Sequence, residues 1–288
     1  MLYPYNIMTM VKRGLKWFIN LMLERVGLRI VQSSSISTYE AIASEYHEKF
    51  RSGEDIPFLL SIPQSAIPDA LRLATLSKSQ IRQDLFALVA TEFKRGGYFV
   101  EFGATDGYSL SNSYLLEKEF GWSGIVAEPG RMWHRELQAN RSVSISTACV
   151  WNESGIKIEF SEVTIPELST VRKFIETDSH ANSRKISKTY LVDTISLNDL
   201  LVEFDAPTVI DYLSIDTEGS EFLILSNLDF SKWKFQVITV EHNYTEQRIE
   251  IYELLTSKGY RRVCQEVSQF DDWYLSADLV EKSNFVSE

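Results

Sequence analysis

Apolar and polar positions divide the chain into three textures. Between Leu15 and Val26, apolar residues fall at Leu15, Phe18, Ile19, Met22, Leu23 and Val26, the spacing of one helix face, which Trp17 and Leu21 widen. Glu24, Arg25 and Arg29 interrupt the run. It therefore predicts no spanning helix of ~20 residues, and it lacks the clean apolar centre and cleavage site of a secretory signal. Two readings stay open: a helix packed on its own domain or on a partner, and an interfacial helix on a membrane surface, helped by Lys12, Arg13 and Lys16. The serine-rich residues 32–38 read as a linker, closing a first segment of residues 1–38.

From residue 39 to 95 the pattern is helical and broken by Pro57, Pro63 and Pro68, with a last helix over residues 79–93. It holds no glycine-rich loop, metal-ligand cluster or repeat, and reads as a helical cap. After Gly96-Gly97 the texture changes. Short apolar runs at 98–102, 124–127, 143–150, 209–215 and 237–240 alternate with helical stretches at 111–120, 132–139, 196–201 and 246–258. Runs this short and apolar suit strands covered on both faces. Residues 260–267 and 272–275, joined around 268–271, predict a closing hairpin. The alternation predicts a doubly wound α/β domain over residues 96–288.

Composition narrows the function. With 44% hydrophobic residues, 7 prolines and 13 glycines in 288 positions, the chain is neither disordered nor low in complexity. A formal charge of −11 makes nucleic acid an unsuitable partner. Cys149 and Cys264 form no CxxC pair, no disulfide framework and no zinc site, which fits a reducing cytoplasm. Nothing in the pattern sets an oligomeric state.

The chemistry gathers at strand ends. The first strand runs into Glu101-Phe102-Gly103-Ala104-Thr105-Asp106-Gly107, where Gly103 permits a tight turn and Gly107 clears the start of a helix. Thr105 stands where a pyrophosphate fingerprint has its second glycine, so the loop suits a ligand with a ribose and no pyrophosphate, such as S-adenosylmethionine. The second strand ends in Glu128, a carboxylate able to accept hydrogen bonds from ribose hydroxyls. The fourth ends in Asp216-Thr217-Glu218-Gly219-Ser220-Glu221, and the next in Glu241-His242-Asn243, at the same rim. Asp216, Glu218, Glu241 and His242 are thus expected near a reacting centre, although Glu218 and Glu221 also suit a helix start.

Four segments resemble the FkbM family of S-adenosylmethionine-dependent methyltransferases: Val100 to Gly107, Ile125 to Pro129, Val192 to Leu201 and Leu213 to Glu221. They span roughly residues 98–275, and the third is the most family-specific. The resemblance implies a Rossmann-like class I methyltransferase sheet of seven mostly parallel strands with a reversed last strand. It also implies an oxygen acceptor, often a hydroxyl on a sugar or polyketide. Carried over by position, Glu101, Gly103, Thr105, Asp106 and Gly107 would shape the cofactor pocket, and Glu128 would hold the ribose. Ala148 and Cys149 would lie near the adenine, and Asp216 by the methionine end. Thr105-Asp106 departs from the commoner family loop, in which Asn with an apolar residue is frequent.

An alcohol acceptor needs a general base or a metal Lewis acid. His242 is the candidate base, oriented by Glu241 or Glu218; alternatively Asp216, Glu218, Glu241 and His242 form a Mg²⁺ site. Residues 151–190 are polar and irregular, with Arg172-Lys173 and Arg184-Lys185. They read as a solvated insertion or as a lid whose cations meet an acidic glycan or phosphate. The expected activity is therefore methyl transfer to a glycan or small hydroxylated metabolite in the cytoplasm. Competing readings are a non-catalytic nucleotide-binding or scaffold protein and a nicotinamide-dependent oxidoreductase. The latter would need a third loop glycine and a catalytic Tyr-x-x-x-Lys pair, and neither stands in the expected place.

Overall fold

The computed structural model describes residues 52–165, 169–174, 186–281 and 285. The amphipathic stretch 15–26, the linker 32–38, the first part of the cap and the cations Arg184 and Lys185 lie outside them. Among the described residues no helix is long and apolar enough to cross a membrane.

Three helices come first, α1 (Ser52–Ser61), α2 (Ile67–Ala74) and α3 (Gln83–Ala90). Pro57 sits inside α1 rather than breaking it, and Pro68 opens α2, where a missing backbone N–H costs nothing. The helix expected over 79–93 is shorter for two reasons. Upstream, the buried Asp84 carboxylate accepts from Ser77 Oγ, Ser79 Oγ and the Lys78 amide, holding that segment as a turn. Downstream, Glu92 and Phe93 take left-handed backbone (φ +53° and +54°), which ends a helix. Phe86 on α3 stacks on Trp273 with ring centroids 4.7 Å apart, and Gln83 donates to Asp271, so α3 lies against the strand that carries both.

The main sheet contains β1 (Tyr98–Phe102), β2 (Ser123–Ala127), β3 (Ser144–Ser146), β8 (Val209–Ile215), β9 (Lys234–Glu241), β10 (Tyr260–Val263) and β11 (Asp271–Ser276). Their order is β10-β11-β9-β8-β1-β2-β3. β11 runs antiparallel to both its neighbours, while the other pairings are parallel. The reversed last strand and the closing hairpin are therefore present. Helices α4 (Tyr114–Phe120), α5 (His134–Asn140), α6 (Leu197–Glu203), α7 (Glu221–Ser226), α8 (Gln247–Ser257) and α9 (Ala277–Val280) fall between or after the strands. On one face, Val100, Ile125, Leu213 and Ile238 meet Leu200, Ile224 and Leu255 of these helices in a fully buried core.

Two expectations change. The single strand read over 143–150 is divided: β3 stays in the main sheet, and β4 (Cys149–Trp151) leaves it to pair with β7 (Ile186–Ser196). The stretch read as irregular contains a four-stranded sheet of order β4-β7-β5-β6, with β5 (Lys157–Val163) and β6 (Thr170–Val171). One side of it buries Trp151, Phe160, Val171 and Phe174. Register places Phe102 beside both Ala127 and Ile215, and Ile215 beside Val240. The residues that follow these four therefore emerge along one rim.

Candidate active site

Gly103 turns the chain off β1 with φ +73°. A side-chain carbon there would stand 1.8 Å from the Asp216 carbonyl oxygen, so the turn at the end of β1 touches the end of β8 through bare backbone. The Gly103 amide donates to the Ala127 carbonyl, and the Thr105 amide donates to Glu128 Oε2 at 2.9 Å. Glu128 Oε1 accepts from the Gly130 amide at 2.6 Å. The Glu128 carboxylate thus faces the glycine turn. Burial pushes its pKa up to about 7, against the pull of those two amides.

Behind the turn, the buried Glu101 carboxylate accepts from Asn112 N, Ser111 Oγ and Ser113 Oγ, with Arg141 Nη1 at 3.4 Å. Arg141 is fully buried and also reaches Glu117. These bonds explain why α4 starts at Tyr114 and not at Ser111: the three residues before it are spent on Glu101. Asp106 accepts from the Tyr108 and Ser109 amides. A side chain on Gly107 (φ +75°) would meet Leu137 at 2.6 Å.

Asp216, Glu218 and Glu241 offer one carboxylate oxygen each within 4.8 Å of one another. Asp216 hydrogen-bonds Glu241, which requires one proton between them. Burial, followed by the charge of Glu221, raises the pKa of Asp216; burial and the charges of Asp216 and Glu218 raise that of Glu241. Glu218 has left-handed backbone (φ +58°); its carbonyl accepts from Thr170 Oγ1 on β6, and Asn243 Nδ2 lies 3.4 Å from Oε2. Glu221 is spent on its own turn, its Oε1 accepting from the Thr217 and Gly219 amides.

One cavity collects most of the expected residues: Glu101, Gly103, Thr105, Glu128, Cys149, Asp216, Glu218 and Glu241 line it. Burial pushes the Cys149 thiol up to about 12, so Cys149 contributes as a small apolar wall. Asp106, Gly107, Ala148 and His242 do not line it. Asp106 and Gly107 shape the loop from behind, and Ala148 packs against the main core. His242 follows Glu241, and along an extended strand consecutive side chains point to opposite faces. Its Nδ1 accepts from the Tyr244 amide at 3.0 Å, and Nε2 lies 3.7 Å from Asp272, which Arg248 and Arg262 also engage. Burial depresses its pKa to about 4 and leaves it neutral. The expected base is therefore a prop for the 241–245 turn, and it does not join the three carboxylates. The exposed Arg172, expected to face an acidic group, lies 3.5 Å from Glu159 and lines no part of the cavity.

Lining residues that the sequence did not single out include Asn112, Trp133, Phe160, Asn243 and Phe270. Asn243 was legible as the residue after a strand end. Phe160 and Phe270 come from the small sheet and the hairpin turn, which reach the rim only through long-range pairing.

The family model described as the methyltransferase FkbM domain matches residues 101–262, more than half of the chain. No curated protein sequence matches. Among solved structures, the methyltransferase FkbM from Methylobacillus flagellatus KT is 14% identical over 73% of this chain and 59% of its own, with a TM-score of 0.39. The precorrin-6y C5,15-methyltransferase from Geobacter metallireducens GS-15 is 10% identical over 64% of this chain and 73% of its own, with a TM-score of 0.37. The match to the family model spans the glycine turn, the Glu128 strand end and the acidic turn, and on it the chain belongs to the FkbM methyltransferase family.

Proposed function

We propose that the protein transfers a methyl group from S-adenosylmethionine to a hydroxyl oxygen of a glycan or related small hydroxylated metabolite. The observation that carries this reading is a single cavity holding the Glu128 carboxylate and the side-chain-free Gly103 turn at one end and a proton-sharing carboxylate pair, Asp216 and Glu241, at the other. The residues fit the cofactor. Ionised Glu128 keeps lone pairs free for ribose hydroxyls beyond the two amides it already accepts. Cys149, Val150 and Trp133 supply a flat apolar wall for a base. Asn112, whose Nδ2 donates to Ser214 Oγ, keeps a buried carbonyl oxygen with no protein partner.

When bound, the cofactor supplies an electrophilic methyl group. The chain's own part is to align the acceptor oxygen, to exclude water and to take its proton. Alignment can contribute ~7–11 kcal/mol. The Asp216–Glu241 pair is the proton acceptor this reading assigns, because both carboxyls line the cavity and Asp216, its pKa raised by burial to about 7, is matched to taking a proton near neutral pH. Two buried, unpaired cysteines suit a cytoplasmic location.

Calorimetry with S-adenosylmethionine against NAD, followed by labelled methyl transfer into cell extract, tests the reading. Binding of NAD alone would sink it, and cofactor binding without transfer would leave a non-catalytic binding protein. Full rate in a chelator supports the carboxylate pair as base; loss of rate restored by Mg²⁺ would replace it with a Lewis acid.

A further inference from the structure

Resting on the cofactor reading, we infer that Asn112 receives the amino-acid tail of S-adenosylmethionine, its Oδ1 accepting from the tail's α-ammonium. Strand order sets the direction in which that tail runs. β8, β1, β2 and β3 are neighbours in this sequence across the sheet. With the ribose on Glu128 at the end of β2 and the base against Cys149 and Val150, which follow β3, the substituent on the ribose is left to run the other way. It crosses the Gly103 turn toward the end of β8, and that is the side on which Asn112 lines the cavity.

Asn112 bridges the two strands at this point. Glu101 on β1 and Ser214 on β8 are register partners, two positions short of Gly103 and Asp216 and therefore on the same face. The Asn112 backbone amide donates to Glu101 Oε1 at 2.6 Å, and Nδ2 donates to Ser214 Oγ at 2.9 Å. Ser214 in turn hydrogen-bonds Tyr212 with its hydroxyl, so it meets Asn112 as an acceptor. That orients the side-chain amide, with Nδ2 on Ser214 and Oδ1 turned away from it. Asn112 is only 7% exposed, and Oδ1 has no partner in the protein. A buried acceptor left unpaired is costly, and a ligand donor removes the cost.

The polar groups around it are already engaged. Glu101 accepts from Ser111, Asn112, Ser113 and Arg141, and Asp216 is hydrogen-bonded to Glu241. The tail's ammonium offers three donors, whereas its carboxylate only accepts and has nothing to give a carbonyl oxygen. Backbone and side chain of Asn112 are both held before the ligand arrives, so little ordering is lost when the bond forms. Asn112 then makes the site select nucleosides that carry an amino-acid tail over those that do not.

Calorimetry on the full chain tests this with three ligands. S-adenosylhomocysteine is the parent; its deaminated analogue lacks the ammonium alone; methylthioadenosine keeps the nucleoside and thioether but has no tail. The wild-type protein should bind the deaminated analogue about ten- to hundredfold more weakly than the parent. Asn112→Leu should weaken the parent by a similar factor, leave methylthioadenosine within about twofold, and abolish the difference between parent and analogue. Asn112→Ser, which matches the serines on either side and keeps the loop polar, should shrink that difference as well. A wild-type protein indifferent to deamination overturns the inference whether or not either variant folds, and so does a folded variant that keeps the full difference. Equal loss of methylthioadenosine in the variants also overturns it, marking Asn112 as a purely structural residue. If the wild-type protein binds none of the three, the cofactor reading fails and this inference falls with it.

Discussion

Gly103 and Asp216 touch through backbone alone: a β-carbon on the glycine would lie 1.8 Å from the aspartate carbonyl oxygen. The contact joins the ends of β1 and β8 with no side chain between them.

Gly103→Ala should therefore fail on two counts, collision with rigid backbone and a φ of +73° that alanine adopts poorly. The expected cost is on the order of 3 kcal/mol or more. Thermal melting should show a large drop, and any folded fraction should have lost cofactor binding. Normal melting and binding would mean that the two strand ends separate easily.

The pH response should run opposite to that of an ordinary carboxylate-paired protein. Glu128 has its pKa raised by burial from 4.5 to about 7, so between those values the folded state binds the extra proton. Stability of the ligand-free protein then falls as pH rises through this window, by about 1 kcal/mol per such group between pH 6 and pH 8. Asp216, Glu221, Glu241 and Asp271 are raised in the same direction. Melting temperature without ligand should be higher at pH 6 than at pH 8, and Glu128→Gln should flatten part of that slope. A melting temperature that rises with pH would count against buried, partly protonated carboxyls.

His242→Ala tests a role that the geometry denies. The imidazole accepts from the Tyr244 amide and stands outside the cavity, so its loss should cost about 1–2 kcal/mol of stability. The rate of methyl transfer per folded molecule should change less than threefold. Glu241→Gln should lower kcat by about 10²–10⁴. A hundredfold fall for His242→Ala at unchanged melting temperature would restore the histidine as the base.

Arg141 is buried between Glu101 and Glu117, and truncating it leaves the buried Glu101 without a cation, while Glu117 keeps Lys118. Arg141→Leu should destabilise the protein by about 3–5 kcal/mol. Adding Glu101→Gln should recover part of this, because it removes one stranded charge. If the double variant melts no higher than the single one, the ion pair is not what holds the 103–113 loop.

Elements buried on both faces were the legible ones. β1 and β8 begin and end where their apolar runs do, since all but the first position of each is buried, Glu101 and Asp211 included. β5 and β7 escaped because Lys157 and Glu159 are exposed on one face, and their partners lie about thirty residues away in sequence. Glu128 and the Asp216 turn were legible from their positions after strands. His242 was misplaced because adjacency in sequence brought it to the rim, whereas strand alternation turned its ring away from the cavity. Asn112 had no local signal; its own amide and the hydroxyls of Ser111 and Ser113 bond Glu101, and its Nδ2 donates to Ser214, which keeps it out of α4 and in the lining.

Thr170 of the small sheet donates to the Glu218 carbonyl, and Phe174 packs where a side chain on Gly219 would be. The small sheet and the acidic turn are therefore tied through backbone, so any shift of β6 would also pull on the chain that carries Glu218.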